Sequence, residues 1–120
     1  MSEEQFKRDW GLEITWADSE EYAGKILVFN KSGDKTPFHF HKETNKTWFV
    51  NNGKFMVKWI DTTDGKVYQQ ELTEGKVFTA ECLVPVSLEA IVPGSSVIQA
   101  SNKNDSTDYY TIIPATNIGV

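Results

Sequence analysis

The sequence predicts an all-β protein built as a sandwich or a barrel. Short stretches of alternating apolar and polar residues recur along its 120 residues, and turn signals such as Asn52-Gly53 and Asp61–Gly65 separate them. No stretch of about ten residues or more repeats apolar side chains at the helical period. A chain of this length supports one hydrophobic core, so we expect a single domain.

The N-terminal segment, residues 1–21, is expected to be an arm and a strand that pack on a barrel formed by residues 22–114, with 115–120 as a tail. Ser2–Arg8 is compatible with one helical turn, since Ser2 and Gln5 have the spacing of a capping box, or with a mobile arm. Trp10–Ala17 is predicted to be a strand. Its alternate residues are apolar and are expected to form its buried face: Trp10, Leu12, Ile14 and Trp16.

Eight further stretches are predicted to be strands by their alternation, by β-branched residues or by the turns around them. They are Tyr22–Asn30, a strand on each side of Asn52-Gly53, Lys66–Leu72, Val77–Glu81, Val86–Val92, Ser95–Ala100 and Tyr109–Ile113, the first strand of the pair starting at His39 and the second ending at Ile60. Asn-Gly favours the positive backbone angles of a type I′ turn, so the two strands that Asn52-Gly53 joins are predicted to form a hairpin.

The His-x-His pair is the main candidate for chemistry. In a strand, His39 and His41 lie on one face and Phe38 and Phe40 on the other. Two imidazoles on one face can bind a metal or transfer protons. The Phe face is expected to be covered by a second subunit in a homodimer, or by the N-terminal strand of the same chain.

Composition and charge exclude several classes of partner. The formal charge is −5 and the pI is about 5.0, with Lys and Arg dispersed, so we expect no nucleic-acid partner. No apolar run approaches a membrane span and Met1–Trp10 lacks the apolar core of a signal peptide, so we expect no membrane partner. Cys82 is the single cysteine, which indicates a reducing, cytoplasmic location.

Two stretches carry a specific resemblance. The first is Gly33-(five residues)-His39-Phe40-His41-(four residues)-Lys46-(six residues)-Gly53, and the second is Gly75–Ala90. Together they resemble the two motifs of the cupin superfamily, with further similarity to its mannose-6-phosphate-isomerase-like branch. The resemblance implies a double-stranded β-helix, the cupin jelly-roll barrel. It also implies a ligand pocket at one mouth of the barrel.

The departures from the cupin motifs concern the metal. Metal-binding cupins supply two His and a Glu from the first motif and a third His from the second. His39 and His41 match, but Lys46 stands in place of the Glu and Val86 in place of the last His. An ammonium about 4 Å from a divalent cation is repelled by roughly 8 kcal/mol at an effective dielectric of 20. A degenerate metal site, with no cofactor or a weakly held divalent metal on His39 and His41, is therefore expected.

A second resemblance bears on the activity. His39-Phe40-His41-Lys42 and the run from Ala100 to Tyr109 are similar to segments of metal-free sugar-nucleotide ketoisomerases. The Arg that this family places before the His pair is absent. In its place stands Thr36-Pro37-Phe38, which argues against a nucleotide-sugar substrate.

Two functions remain open at this point. One is a non-catalytic module whose mouth binds a small sugar-like or anionic molecule through His39, His41, Lys46, Trp48 and Glu81. The other is an isomerase or epimerase of a sugar, sugar phosphate or sugar nucleotide. In that enzyme His39 and His41 act as acid and base, and Lys46 stabilises an enolate oxygen.

Overall fold

The structure is a computed structural model that describes residues 4–103 and 107–113. Every regular element in this part of the chain is a strand, as predicted. The strands are β1 Glu4–Arg8, β2 Gly11–Asp18, β3 Ala23–Phe29, β4 Phe38–Phe40, β5 Lys46–Asn52, β6 Lys54–Ile60, β7 Val67–Thr73, β8 Val77–Ala80, β9 Val86–Ala90, β10 Ser96–Ser101 and β11 Tyr110–Ile113. The described part contains no helix long and apolar enough to cross a membrane.

The strands form two antiparallel sheets that face each other. One has the order β1-β2-β3-β10-β5-β8 and the other the order β11-β4-β9-β6-β7. Consecutive strands repeatedly pass from one sheet to the other, which is the arrangement of a double-stranded β-helix. The fold class predicted from the sequence is therefore confirmed.

The N-terminal segment adds a strand and not a helical turn. From Glu4 onward the predicted turn is wrong, because β1 pairs with β2 along its whole length, from Glu4 opposite Thr15 to Arg8 opposite Gly11. Ser2, on which the capping box depended, lies outside the described residues, as does the predicted tail 115–120. β1 forms the outer edge of the larger sheet and extends one wall of the barrel.

Asn52-Gly53 does not make the predicted hairpin, and the single strand predicted from His39 to this turn is divided into β4 and β5, which lie in different sheets. β5 pairs with β10 and β8, whereas β6 pairs with β9 and β7, so the turn is a corner between the two sheets. Gly53 has a φ of 85°, and a Cβ there would lie 2.0 Å from the Ser95 hydroxyl oxygen. The glycine signal was correct, but it marks a close crossing of two chain segments. The Asp61–Gly65 turn does join a hairpin, that of β6 and β7.

The buried face of β2 is the opposite of the predicted one. Glu13 and Thr15 are buried, whereas Leu12 and Ile14 are half-buried and Trp16 is 44% exposed. The apolar side chains lie on the outer face of the larger sheet. Along the register, the residue opposite Ile14 is Ile26, followed by Ile98, Phe49 and Val77 on successive strands. The polar side chains face the barrel interior.

The barrel interior changes character along its strands. Inward positions near one end are polar, and inward positions towards the other end are apolar. The sequence of inward residues is Lys25, Leu27 and Phe29 on β3, Lys46, Trp48 and Val50 on β5, and Ser101, Gln99 and Val97 on β10. The apolar half, which we call the core half, also contains fully buried Phe55, Val57, Leu72 and Leu88. The polar half opens to solvent and is called the mouth half below.

Candidate functional site

A cavity of about 620 Å³ occupies the mouth half, between the two sheets. Its floor is apolar, with Trp48 and Leu27, and its walls carry polar and charged side chains from both sheets. Among the described residues, five of the chain's 12 Lys and Arg residues line the cavity. Two of the chain's 17 Asp and Glu residues line it. These seven are Lys7, Arg8, Lys25, Lys46, Lys103, Asp9 and Glu13. A protein of net negative charge thus has a predominantly cationic cavity.

His39 and His41 come from the end of β4, as the alternation predicts. His39 is 1% exposed and lies opposite Val86, while His41 is half-buried in the loop that follows. The two rings are 5.4 Å apart and nearly perpendicular. Tyr109 stacks on His39 at 4.5 Å and closes one side of the pair. Strand geometry therefore places both imidazoles in the cavity wall.

Asp108 holds the loop that carries His41. Its carboxylate accepts hydrogen bonds from the backbone N–H groups of Lys42, Glu43 and Thr44 and from the Thr44 hydroxyl. Burial raises the pKa of Asp108, but these hydrogen bonds outweigh it and lower the pKa to about 2. Asp side chains commonly cap loops, and Asp108 does so here. Asp105 lies outside the described residues.

The hydrogen bonds of the two imidazoles determine which nitrogen carries the proton. Nδ1 of His39 is 2.6 Å from the carbonyl oxygen of Pro37, and Nδ1 of His41 faces the carbonyl oxygen of Asp108. A carbonyl oxygen only accepts, so each neutral ring must carry its proton on Nδ1. Both Nε2 atoms are therefore left as acceptors, and both point at the same place.

Lys46 fills that place. Its Nζ is 2.6 Å from Nε2 of His39 and 3.0 Å from Nε2 of His41. The ammonium has three donors, so two serve the imidazoles. The third has no hydrogen-bond acceptor among residues 4–103 and 107–113; the Trp48 ring lies 4.9 Å from Nζ. Lys46 thus links the histidine pair to the cavity floor.

Burial shifts the pKa values of all three groups downward. Burial, followed by the charge of the nearby Lys25, lowers the pKa of Lys46 to about 7, and Glu13 opposes the shift. Burial, followed by the Lys46 charge, puts the pKa of His39 well below its usual range and lowers that of His41 less. Near pH 7 the histidines are therefore neutral and the lysine is close to its midpoint.

Glu13 organises the remaining charges of the cavity, and sequence reasoning missed it. Its carboxylate is 3.0 Å from Nζ of Lys25 and 3.4 Å from the Arg8 guanidinium. Burial raises the pKa of Glu13, but Lys25 and Arg8 together lower it, so the carboxylate stays ionised. The signal was present in the sequence, because Glu13 and Lys25 both alternate with apolar residues on neighbouring strands. Glu13 was missed because the apolar residues of its strand were predicted to form the buried face, which would place Glu13 on the solvent side.

The cavity floor is held by a buried polar contact. The indole N–H of Trp48 donates to the amide oxygen of Gln99 at 2.8 Å, and both side chains are buried. This bond fixes the plane of Trp48, whose other side stacks on Phe78 at 6.2 Å. Trp48 and Phe55 belong to the core, whereas Trp59 and Phe78 are half-buried at its edge.

Comparison with known proteins identifies the family. The family model described as Cupin matches residues 24–114. The chain belongs to the cupin family. No curated protein matches it in sequence.

Solved cupin structures share the fold. The capsular polysaccharide assembling protein CapF from Staphylococcus aureus has a TM-score of 0.82 at 15% identity, over 94% of this chain and 33% of CapF. Oxalate decarboxylase from Bacillus subtilis has a TM-score of 0.81 at 14% identity, over 92% of this chain and 30% of the enzyme. KdgF from Halomonas sp. has a TM-score of 0.69 at 20% identity, over 80% of this chain and 81% of KdgF. The chain thus spans about a third of CapF and of the decarboxylase.

The side chains of this cupin do not fit a divalent metal at the histidine pair. The two Nε2 lone pairs converge on the ammonium of Lys46, and within the described ranges no three His, Cys, Asp or Glu residues cluster as a ligand set. Glu43, one conceivable replacement ligand, is exposed and pairs with Lys103 at 3.1 Å. Here the ammonium of Lys46 occupies the place at which the two Nε2 atoms would meet a metal.

Glu81, predicted to bind the ligand, does not reach the cavity. It is exposed and lines a separate shallow depression beside Trp59 and Phe78. Glu81 immediately follows β8, which pairs with β5 at the edge of the larger sheet. The structure thus brings together His39, His41, Lys46 and Trp48 and leaves Glu81 outside.

Proposed function

We propose that this cupin binds a small anionic, sugar-like ligand, such as a sugar acid, in the mouth-half cavity without a metal. The observation that carries the proposal is the reversal of charge. The chain has a net charge of −5, yet cationic side chains outnumber acidic ones in the described lining of the cavity. Such a lining attracts a carboxylate and repels cations.

Lys46 is the proposed anchor of the carboxylate. A buried ammonium with one unused donor forms a strong charge-assisted hydrogen bond with an anion. An anion beside it also favours the charged form of Lys46, whose pKa burial has lowered to about 7. The ligand then supplies the negative charge that the buried lysine lacks.

The remaining walls suit a polyhydroxylated ring. The hydroxyl oxygens of Thr44 and Ser101, whose protons are donated to Asp108 and to the Lys103 carbonyl oxygen, offer acceptors. Trp48 and Tyr109 offer apolar ring surface. Two structural relatives agree with this chemistry by name, since CapF is a capsular polysaccharide assembling protein and the decarboxylase is named for oxalate. These names describe those proteins. For this cupin they support the proposal of a saccharide-like or carboxylate ligand.

Matched ligands test the proposal. Isothermal titration calorimetry with glucuronate and gluconate should give binding, whereas glucose, of similar size and without the charge, should bind at least about tenfold more weakly. Lys46→Met should remove the preference for the acids. Lys66→Met, at an exposed turn, is the matched control and should keep it. Equal affinity for acids and neutral sugar, in protein that folds normally, would contradict the proposal.

An isomerase or epimerase is the second candidate. It is favoured by the protonation states of the site, in which a lysine with a pKa of about 7 contacts two imidazoles with free Nε2 lone pairs. Such a set can take a proton from a carbon next to a carbonyl and return it. Proton NMR of a sugar acid in D₂O should then show exchange of that hydrogen only in the presence of the protein. A purely binding cupin would leave the hydrogen in place.

We also propose that the protein forms a homodimer, through a different face from the one predicted. Phe38 is 4% exposed within the single chain and Phe40 stacks on Tyr110, so neither needs a partner for cover. The outer face of the larger sheet instead carries the apolar row from Ile14 to Val77, and Phe49 within it is 41% exposed. Phe49→Lys should yield monomers in light scattering if this face pairs with its copy.

The single Cys82 supports the proposed cytoplasmic location.

A further inference from the structure

Lys46 is an amine held inside a cavity, in contact with two proton acceptors. Its Nζ lies within 3.0 Å of both Nε2 atoms and has one position left for a third partner. We propose that Lys46 is a nucleophile that captures a small carboxylate-bearing aldehyde or ketone as an imine. This inference rests on the proposed anion binding for the charged half of the ligand and adds a covalent step to it.

A lysine attacks a carbonyl group only as the neutral amine. An exposed lysine is almost entirely protonated at pH 7, with roughly one molecule in a few thousand as free base. Burial lowers the pKa of Lys46 to about 7, so about half of the molecules carry the neutral amine at that pH. Depressed lysine pKa values of this kind are what Schiff-base chemistry requires.

The step balances without a co-reactant. The Lys46 ammonium gives one proton to Nε2 of a neighbouring histidine, and the amine lone pair forms a C–N bond as the C=O π bond breaks. The imidazolium returns the proton to the new alkoxide, giving a carbinolamine. The nitrogen loses a second proton to the histidine, the C–O bond breaks, and the hydroxyl leaves as water with that proton. One ammonium and one carbonyl compound give one protonated imine and one water.

His41 is the better proton acceptor of the two. His39 is 1% exposed, and burial disfavours its imidazolium so strongly that its pKa falls well below the usual range. His41 is half-buried, and its Nδ1–H faces the carbonyl oxygen of Asp108, a contact that stabilises the imidazolium. We therefore assign the proton transfers to His41, and to His39 the role of positioning the lysine.

Of the other three lysines in the cavity lining, two are tied to carboxylates, and Lys7 is exposed. Nζ of Lys25 is 3.0 Å from Glu13, and Nζ of Lys103 is 3.1 Å from Glu43. Neither contacts an imidazole in the described structure, whereas Lys46 contacts two. Capture should therefore be selective for one amine, which makes the inference testable by mapping.

The experiment uses 4-formylbenzoate, an aldehyde that carries a carboxylate, with cyanoborohydride to reduce any imine. Intact-mass spectrometry should show one added group, and peptide mapping should place it on Lys46, formed at least about tenfold faster than on any exposed lysine. Lys46→Met should lose this adduct and Lys66→Met should keep it. Because mapping is done on the unaltered protein, the result does not depend on the fold of a variant. No adduct on Lys46, or equal labelling of many lysines, would overturn the inference.

A carbonyl-free analogue separates this inference from the proposed function. 4-(Hydroxymethyl)benzoate has the same shape and charge but cannot form an imine, and its binding is measured by calorimetry. If it binds while the aldehyde leaves Lys46 unlabelled, covalent capture is refuted and anion binding stands. If neither molecule binds or reacts, both proposals fail for this ligand class. His41→Gln should slow labelling of Lys46 by about tenfold or more at a saturating concentration of the aldehyde, where weaker binding does not affect the rate, and unchanged labelling would refute the role of His41.

Discussion

The same strands build both halves of the barrel interior, but the two halves differ in polarity and in packing. β5 contributes Lys46 to the mouth half and, four residues later, Val50 to the core half. In the core half, apolar side chains pack without exposure and stabilise the fold by burial. In the mouth half, Lys46 and Glu13 are buried charged side chains beside a cavity, and each depends on specific partners. A barrel can therefore hold buried charged groups in one half because the other half supplies the stability.

The largest effect should come from giving the mouth half a metal site. Lys46→Glu removes the ammonium on which both Nε2 atoms converge and supplies a carboxylate, giving two histidines and one acid. We expect affinity for Mn²⁺ or Zn²⁺ to rise on the order of a thousandfold. Adding Val86→His, opposite His39 in the register, should raise it further by a smaller step. Calorimetry of the metal-free protein measures both steps.

The control for metal binding is Lys58→Glu, which makes the same charge change on a residue outside the cavity lining. It should leave metal affinity unchanged. Tight stoichiometric metal in the unaltered protein would contradict the argument, because it would require the ammonium of Lys46 to leave the histidine pair.

The next largest effect tests the core half. Phe55 is fully buried and packs edge-on against Phe29 at 5.0 Å. Phe55→Ala should lower the free energy of unfolding by about 3–5 kcal/mol, through lost burial and the void that remains. Urea denaturation measures the loss. Phe49→Ala, on the outer face, should cost much less in monomeric protein, and an equal loss would show that the core half does not carry the stability.

The pH dependence of stability should come from the mouth half. The pKa of Lys46 in the folded chain, about 7, lies below its value of 10.5 without burial, so folding releases a proton between these pH values. Stability should therefore rise as the pH increases above 7 and be lost as the pH falls back to it. From pH 7 to pH 9 we expect a gain of about 2 kcal/mol in urea denaturation. Lys46→Met should have a nearly flat profile there, and an equally steep one would assign the gain to another group.

The smallest expected effect concerns the loop that carries His41. Asp108→Asn keeps an acceptor oxygen but removes the charge that the N–H groups of Lys42, Glu43 and Thr44 bind. We expect a loss of about 1 kcal/mol in unfolding free energy, since hydrogen bonds to a charged acceptor are the stronger ones. Amide exchange at Thr44 should become faster. Asp64→Asn, which removes a charge from a turn away from this loop, should leave amide exchange at Thr44 unchanged.

Prediction from the sequence was most accurate where short-range rules apply. Most of the strands, the hairpin at Asp61–Gly65 and the shared face of His39 and His41 follow from alternation and turn chemistry over a few residues. The approach of Lys46 to that pair follows from its position in the cupin motif. These features needed no knowledge of which sheet a strand joins.

The errors have one physical origin. Alternation says that a strand has two faces but not which of them is inside, and in β2 the apolar face is the outer one. Glu13 and Lys25 were therefore missed as cavity residues. Likewise, Asn52-Gly53 indicates a tight change of direction, but the pairing of β5 with β10 and of β6 with β9 makes it a corner.

Local sequence patterns thus determined the fold class, most of the strands and the proximity of three side chains, those of His39, His41 and Lys46. These features depend on local backbone preference and on motif spacing. Only the tertiary structure decided that Nε2 of both histidines points at Lys46, that Glu13 faces inward and that Glu81 lies outside. Those facts depend on how strands distant in the chain pair across two sheets. They also depend on how burial then changes the charge of the groups brought together.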